Sequence, residues 1–170
     1  MLLKIGLHIK YKHMTHPNQQ IIEEFYQAFQ NGDADKMASC YHSDIQFEDP
    51  AFGLLKGKQV TDMWRMLLER GKGNISITYS DAYADDTKGG AHWEAKYPFS
   101  KTGRNVHNKI DATFEFKDGK IYRHKDVFDL WKWSSQALGL TGMLLGFTPI
   151  VKNKIRKQSL SLLEKYQSKK

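Results

Sequence analysis

Four side chains between residues 109 and 126 have the types that acid–base chemistry needs. Asp111 and Asp126 lie on two runs of alternating residues, 105–117 and about 120–132. Asp118-Gly119 joins them and is a two-residue hairpin signal. A loop of that length sets Asp111 opposite Asp126, and directly opposed residues have Cβ atoms about 5 Å apart. Two carboxylates so close cannot both ionise freely, so one is expected to hold a proton at neutral pH, an acid beside a base. Alternation puts Lys109, His107 and Thr113 on the face of Asp111, and His124, Tyr122 and Phe128 on the face of Asp126. The flanking apolar residues make this the expected inner face, with Lys109 and His124 moderating the repulsion. The competing expectation is plain: charges on an antiparallel strand are commonly solvated, because one sheet face often meets water.

The elements that must position these groups are readable from periodicity. Residues 17–31 carry a helical stripe (Ile21, Ile22, Phe25, Ala28, Phe29) after Pro17 and before Asn31-Gly32. Asp33 caps a short second helix through Met37, Ala38 and Tyr41. Residues 45–49 alternate as a strand that Pro50 ends. Val60, Met63, Trp64, Leu67 and Leu68 give a third helix its apolar face. Strands then follow at 74–85, 91–99, 105–117 and 120–132. Helices first and sequential strands second predict an α+β fold, a curved antiparallel sheet packed against N-terminal helices. Beyond it, 133–147 is apolar and punctuated by glycine, and Thr148-Pro149 opens a basic amphipathic helix to about 167. The expected organisation is an extension over 1–13, a domain over 14–133, and an apolar segment plus basic helix over 134–170. Met14 reads as a natural start, with 1–13 frayed or mis-assigned.

Composition narrows the function classes. The 170 residues suit one domain with a substantial core. The net charge of +7 sits at the ends: +3 over 1–13 and +6 over 150–170, against −2 for the body between. A nucleic-acid-binding body would carry its own basic face, so no nucleic acid partner is expected. One cysteine, Cys40, excludes an internal disulfide and reads as a small core residue in a cytoplasmic protein. His42, His92 and His107 are scattered without metal-ligand spacing, so no metal is expected. No run approaches the roughly 20 apolar residues of a membrane span.

Five segments together resemble a known family. They are Phe-Tyr-Gln-Ala-Phe-Gln-Asn-Gly-Asp at 25–33, Tyr-His-Ser-Asp-Ile-Gln-Phe-Glu-Asp-Pro at 41–50 and Gly57 opening the third helix. The others are Ile-Asp-Ala-Thr-Phe-Glu-Phe-Lys-Asp-Gly-Lys-Ile at 110–121 and His-Lys-Asp-Val-Phe-Asp at 124–129. Over about 15–133 the chain resembles the nuclear transport factor 2-like superfamily, in its SnoaL-like branch with ketosteroid isomerases and limonene-epoxide hydrolases. The resemblance implies a cone-shaped α+β barrel with a pocket between helices and sheet, often a dimer through the outer sheet face. It places Asp49 where ketosteroid isomerases keep a general base, and Asp111 where they keep a protonated oxyanion-hole aspartate. Their helix tyrosine falls on Phe25, with Tyr26 one step off and directed elsewhere, which removes one oxyanion donor. Asp111 and Asp126 match the two aspartates of epoxide hydrolases, with Lys109 where those keep an arginine. Lys supplies charge but not a planar fork. Asp126 also resembles the acid/base aspartate of SnoaL-type polyketide cyclases. This fold hosts catalytic and non-catalytic proteins alike.

These readings combine into one expectation with a rival. The chain is expected to act on a small hydrophobic molecule by acid–base chemistry without a cofactor, as an isomerase, cyclase or epoxide hydrolase. Asp126 would be base or water-orienting group, Asp111 the acid, Asp49 a second base, with Lys109 and His124 tuning charge. Phe25, Phe47, Trp93, Tyr97, Thr113 and Phe128 would line the ligand. The rival is a non-catalytic carrier or protein-interaction module using the same pocket. For the C-terminal segment, Met143, Leu144, Leu145 and Phe147 would close over the two aspartates as a lid, or cover a partner subunit. Alternatively the basic helix would lie on an anionic membrane surface.

Overall fold

Three helices make the inner layer of the molecule. The computed structural model describes residues 15–71 and 73–169, so the expected extension at 1–13 lies outside the described residues. Helix α1 (Pro17–Gln30) starts on the proline and buries Ile22, Phe25, Tyr26, Ala28 and Phe29. Helix α2 (Ala34–Ser39) is capped by Asp33, whose side chain accepts from the Lys36 N–H. Helix α3 (Lys58–Gly71) buries Val60, Met63, Trp64 and Met66 against the same core.

The outer layer is a six-stranded sheet in the order β2-β1-β6-β5-β4-β3. Its strands are β1 (Tyr41–Asp49), β2 (Gly53–Lys56), β3 (Ser76–Ala84), β4 (Lys88–Pro98), β5 (Asn105–Lys117) and β6 (Lys120–Val127). The sheet curls around the helices without closing, which gives the α+β cone. It is not antiparallel throughout: β1 runs parallel to β6, with Phe47 opposite His124 and Glu48 opposite Lys125. That junction joins strands far apart in sequence, and the long connection a parallel pair requires is supplied by α3 and the strands between. The short β2, not expected from sequence, folds back on β1 through the turn after Pro50.

Past the sheet the sequence expectation needs one correction. The last strand ends at Val127 rather than near 132, because Asp129 accepts a hydrogen bond from the Lys132 N–H and caps a new helix. That helix is α4 (Leu130–Leu138), followed by α5 (Leu140–Leu145) and α6 (Pro149–Gln167), the last capped by Thr148. Helix α4 lies over the β4–β5 end of the sheet, where Trp133 Nε1 donates to the Tyr97 hydroxyl at 2.8 Å and Gln136 bonds the backbone of His107. Helix α6 packs along α3, burying Ile155 and Leu163, with Tyr166 donating to Glu69. No helix among the described residues is long and apolar enough to cross a membrane.

Candidate active site

The cone interior holds one polar chain inside an aromatic cluster. Asp126 projects inward from β6 and is 3% exposed. Its Oδ1 lies 3.0 Å from His124 Nε2 and accepts from Trp93 Nε1 at 3.2 Å. His124 Nδ1 is 2.8 Å from the Tyr41 hydroxyl, which accepts from Trp64 Nε1 at 2.9 Å. With a neutral imidazole only one assignment satisfies every member: Trp64 donates to Tyr41, Tyr41 to Nδ1, and Nε2–H to Asp126. Among the described residues both of these bonds fall on Oδ1, which leaves Oδ2 as the unengaged oxygen of Asp126.

Around this chain the rings are closely packed. The Phe114 and His124 centroids are 4.5 Å apart, and Phe25, Phe47 and Trp64 also meet the imidazole. Tyr26 is fully buried and stacks on Tyr79 at 5.2 Å. Its hydroxyl has no hydrogen-bond partner among the described residues. Burial raises the Tyr26 hydroxyl well above its ordinary value and the Asp126 charge pushes it further, so it stays protonated. Tyr26 therefore does not point elsewhere, as the alignment on Phe25 implied. Both residues fall inside the buried stripe of α1.

The expected pair of Asp111 and Asp126 does not form. The observed register sets Asp111 opposite Val127 and Ala112 opposite Asp126. Near the turn, Lys117 opposes Lys120 and Phe116 opposes Ile121, the register that a two-residue loop dictates. The next pair is Glu115 with Arg123, so Tyr122 is an extra residue on β6. Such a bulge changes which side chains share a face beyond it. Ile121 and His124 both point inward, while Asp111, Lys109 and Thr113 point outward. Asp111 there binds His92 Nδ1 at 2.8 Å, and Lys109 binds Glu94 at 3.1 Å. His107 and Lys109 together pull Glu94 down to about 2. Asp111, Lys109 and Thr113 thus belong to the outer face, away from the interior chain.

A different carboxylate takes the vacant role. The parallel register of β1 on β6 runs through Phe47–His124 and Glu48–Lys125, and continuing it one step sets Asp49 beside Asp126. Asp49 Oδ1 accepts from the N–H groups of Ala51 (3.0 Å) and Phe52 (2.5 Å), which form the turn into β2. Burial pushes its carboxyl up to about 7, the Asp126 charge adds to the rise, and the turn N–H groups limit it. A carboxyl near 7 exchanges protons readily at neutral pH.

The same shift has a stability consequence. Between about pH 4 and 7 the unfolded chain has lost the Asp49 proton while the folded protein keeps it, so stability falls as pH rises through that window and levels off above it. Asp49→Asn keeps the acceptor for the turn and removes the titration. The variant is expected to match wild type near pH 4 and to exceed it by about 1–2 kcal/mol at pH 8, after discounting for residual solvent access. That corresponds to about 2–8 °C in Tm. Calorimetry across this range checks it; a difference that stays flat would show that Asp49 titrates as an ordinary carboxylate.

Of the expected ligand-lining residues, Phe25 and Phe47 sit in the interior against His124, and Trp93 binds Asp126 directly. Phe128 and Tyr97 are partly buried at the core's edge. Tyr41, Trp64 and Tyr26 were not foreseen as site residues. Tyr41 and Trp64 read only as apolar positions of helical stripes. Among the described residues no three His, Cys, Asp or Glu side chains come together as a metal site.

The fold has relatives. The chain belongs to the SnoaL-like domain family, whose model matches residues 22–124. Asp126 and helices α4–α6 lie just beyond the matched residues. No curated protein matches the chain. Among solved structures it is similar to TerC co-crystallised with polyporic acid, with a TM-score of 0.63 and 16% identity over 73% of this chain and 100% of that one. It is also similar to an LEH-like epoxide hydrolase of M. tuberculosis, with a TM-score of 0.57 and 23% identity over 78% and 98% of the two chains. A third likeness is to SalBIII, an epoxide hydrolase/cyclase-like enzyme with a role in pyran ring formation in salinomycin, with a TM-score of 0.58 and 13% identity over 66% and 91%. At these identities the likeness is one of fold.

Proposed function

We propose that the protein is a cofactor-independent acid–base enzyme acting on a small hydrophobic molecule, of the isomerase, cyclase or epoxide-hydrolase type. The observation that carries this reading is the buried Asp126, fixed through Oδ1 by Trp93 and His124 with Oδ2 unengaged, in the same aromatic interior as the buried, unpartnered Tyr26 hydroxyl. Oδ2 would take a proton from the substrate or orient a water. Tyr26 O–H would donate to the oxygen on which negative charge develops, a role that gains strength in a water-poor site. Asp49, with its carboxyl near 7, would return or relay the proton. SnoaL-like membership and the cyclase- and hydrolase-like neighbours support a reaction of this type.

A second reading has its own observation. The rings of Phe25, Tyr26, Phe29, Trp64, Trp93 and Phe114 fill the centre of the cone, so a ligand must displace side chains to reach Asp126. That filling favours a non-catalytic interaction module.

The two readings separate in one experiment. Wild type and Asp126→Asn are screened at pH 7 by thermal shift against small hydrophobic epoxides, enones, lactones and steroids, and each mixture is analysed by mass spectrometry. The proposal expects a ligand that raises Tm by mass action and is converted by wild type, with conversion slower by about a hundredfold or more in Asp126→Asn. A ligand that stabilises both proteins and returns unchanged would establish the non-catalytic reading.

A further inference from the structure

Among the described residues the exposed large apolar side chains concentrate in α5 and the turn after it, and two glycines fix their position. In α5 and the turn after it, Gly142 and Gly146 lie one helical turn apart, against Ser134 of α4. Ser134 is fully buried and its hydroxyl reaches the Gly142 carbonyl. With glycines as the inner face, the large residues have only the outer one. Leu140 is 72% exposed, Leu144 64%, Phe147 60% and Ile150 80%, and Met143 and Leu145 are near half. An amphipathic helix packed on a core shows the opposite arrangement. Met143, Leu144, Leu145 and Phe147 therefore do not form a lid over the interior carboxylates. The apolar face of the basic helix α6 is not free either, since Ile155 and Leu163 are buried against the body.

The charge around this turn selects its occupant. From residue 130 to residue 163 the sequence contains no Asp or Glu, while Lys132, Lys152, Lys154, Arg156 and Lys157 are present. The lysines are exposed beside the apolar turn. A second copy docking here would bring two positive rims together, an arrangement that like-charge repulsion disfavours. An anionic bilayer offers both complements at once: acyl chains for the leucines and phenylalanine, and negative headgroups for the lysines. We propose that α5 and the turn after it, with the first turns of α6, dock on an anionic lipid surface. The apolar side chains enter the headgroup–acyl boundary, and Lys152, Lys154 and Lys157 contact the phosphates. Docking holds the domain at the surface and leaves the interior site on β1 and β6 untouched.

Co-sedimentation of the full chain with vesicles of phosphatidylcholine and phosphatidylglycerol (3:1), against phosphatidylcholine alone, tests this at low and high salt. Wild type is expected on the anionic vesicles at low salt, and several-fold less at high salt because the headgroup attraction is screened. The pair Leu144→Ser with Phe147→Ser is expected to cut partitioning by about tenfold or more. The triple Lys152→Gln, Lys154→Gln and Lys157→Gln is expected to do the same, at roughly a fewfold per charge. All five side chains are exposed, so Tm is expected to stay near wild type and serves as the folding control. Absence of binding to the anionic vesicles would overturn the proposal. So would binding that the serine pair leaves unchanged, or a dimer in solution that the serine pair splits, which would assign the surface to a second copy.

Discussion

His124→Ala is expected to destabilise the protein by about 3–5 kcal/mol. Two losses add. The imidazole is 1% exposed and packs between Phe114, Trp64, Phe25 and Phe47, so its removal opens a cavity in a close-packed interior. It also takes one hydrogen bond from the buried Asp126 carboxylate and the acceptor from Tyr41, and buried polar groups left unpaired cost about 1–3 kcal/mol each. His124→Phe separates the terms, because it keeps most of the ring volume and removes only the nitrogens. Its expected cost is about 1–3 kcal/mol. Urea unfolding of the three proteins checks this, with His124→Ala lowering Tm by about 6–20 °C. Equal costs for both variants would show that hydrogen bonding carries the whole effect. A cost under 1 kcal/mol for His124→Ala would contradict the buried chain itself.

Much of that chain was legible in the sequence, and the part that was not has a specific origin. Alternation along β6 put His124 and Asp126 on one face, which the flanking apolar residues made the expected inner one. The stripes of α1 and α3 supplied the aromatic walls because helical period survives any change in strand register. What failed was a single residue. The loop at Asp118-Gly119 does set the register for two pairs, through Phe116 and Ile121, and then Tyr122 bulges. No glycine or proline marks the bulge, and the one sign of it is that Ile110, Ala112, Phe114 and Phe116 alternate on the face opposite Asp111, Lys109 and Thr113. Its consequence follows from the period of two: Asp126 pairs with inward Ala112, and Asp111, on the outer face with Lys109, pairs with Val127.

The carboxylate that stands beside Asp126 was visible only as a residue type. Asp49 is separated from Asp126 by a helix and four strands, and their adjacency depends on the parallel contact of β1 with β6. Periodicity sorts residues within an element but does not pair distant elements. The resemblance to ketosteroid isomerases had assigned Asp49 a base role without placing it next to Asp126. Tyr26 failed for another reason. A position-by-position match to Phe25 assumed that one α1 residue faces the site. The buried stripe of a helix is about 100° wide and admits both neighbours.

Gly142→Ala is expected to detach α5 from α4, and the reason is room rather than backbone conformation. Gly142 does not have positive φ, so alanine suits its dihedrals. An added Cβ, however, would lie far inside contact distance of the Ser134 carbonyl and 2.9 Å from the Ser135 nitrogen. These are backbone atoms of a neighbouring helix and cannot swing away as a side chain tip would. The helices must separate, which strains or breaks the bonds from Ser134 Oγ to the Gly142 carbonyl and from Trp131 Nε1 to the Met143 carbonyl. The expected local cost is about 2–4 kcal/mol, large enough to raise the open population of α5 by roughly 30- to 1,000-fold. Since α5 makes its main contacts with α4, the loss is expected to stay local, in the manner of a separately opening unit. Hydrogen exchange at the Met143 and Gly146 amides, which bond the carbonyls of Gly139 and Gly142, should accelerate by that factor. Amides of β5 and β6 should change by less than a few-fold. Unchanged exchange in α5 would mean that the helices do not approach so closely in solution. Equal acceleration in the sheet would mean that α4 and α5 hold the whole cone together.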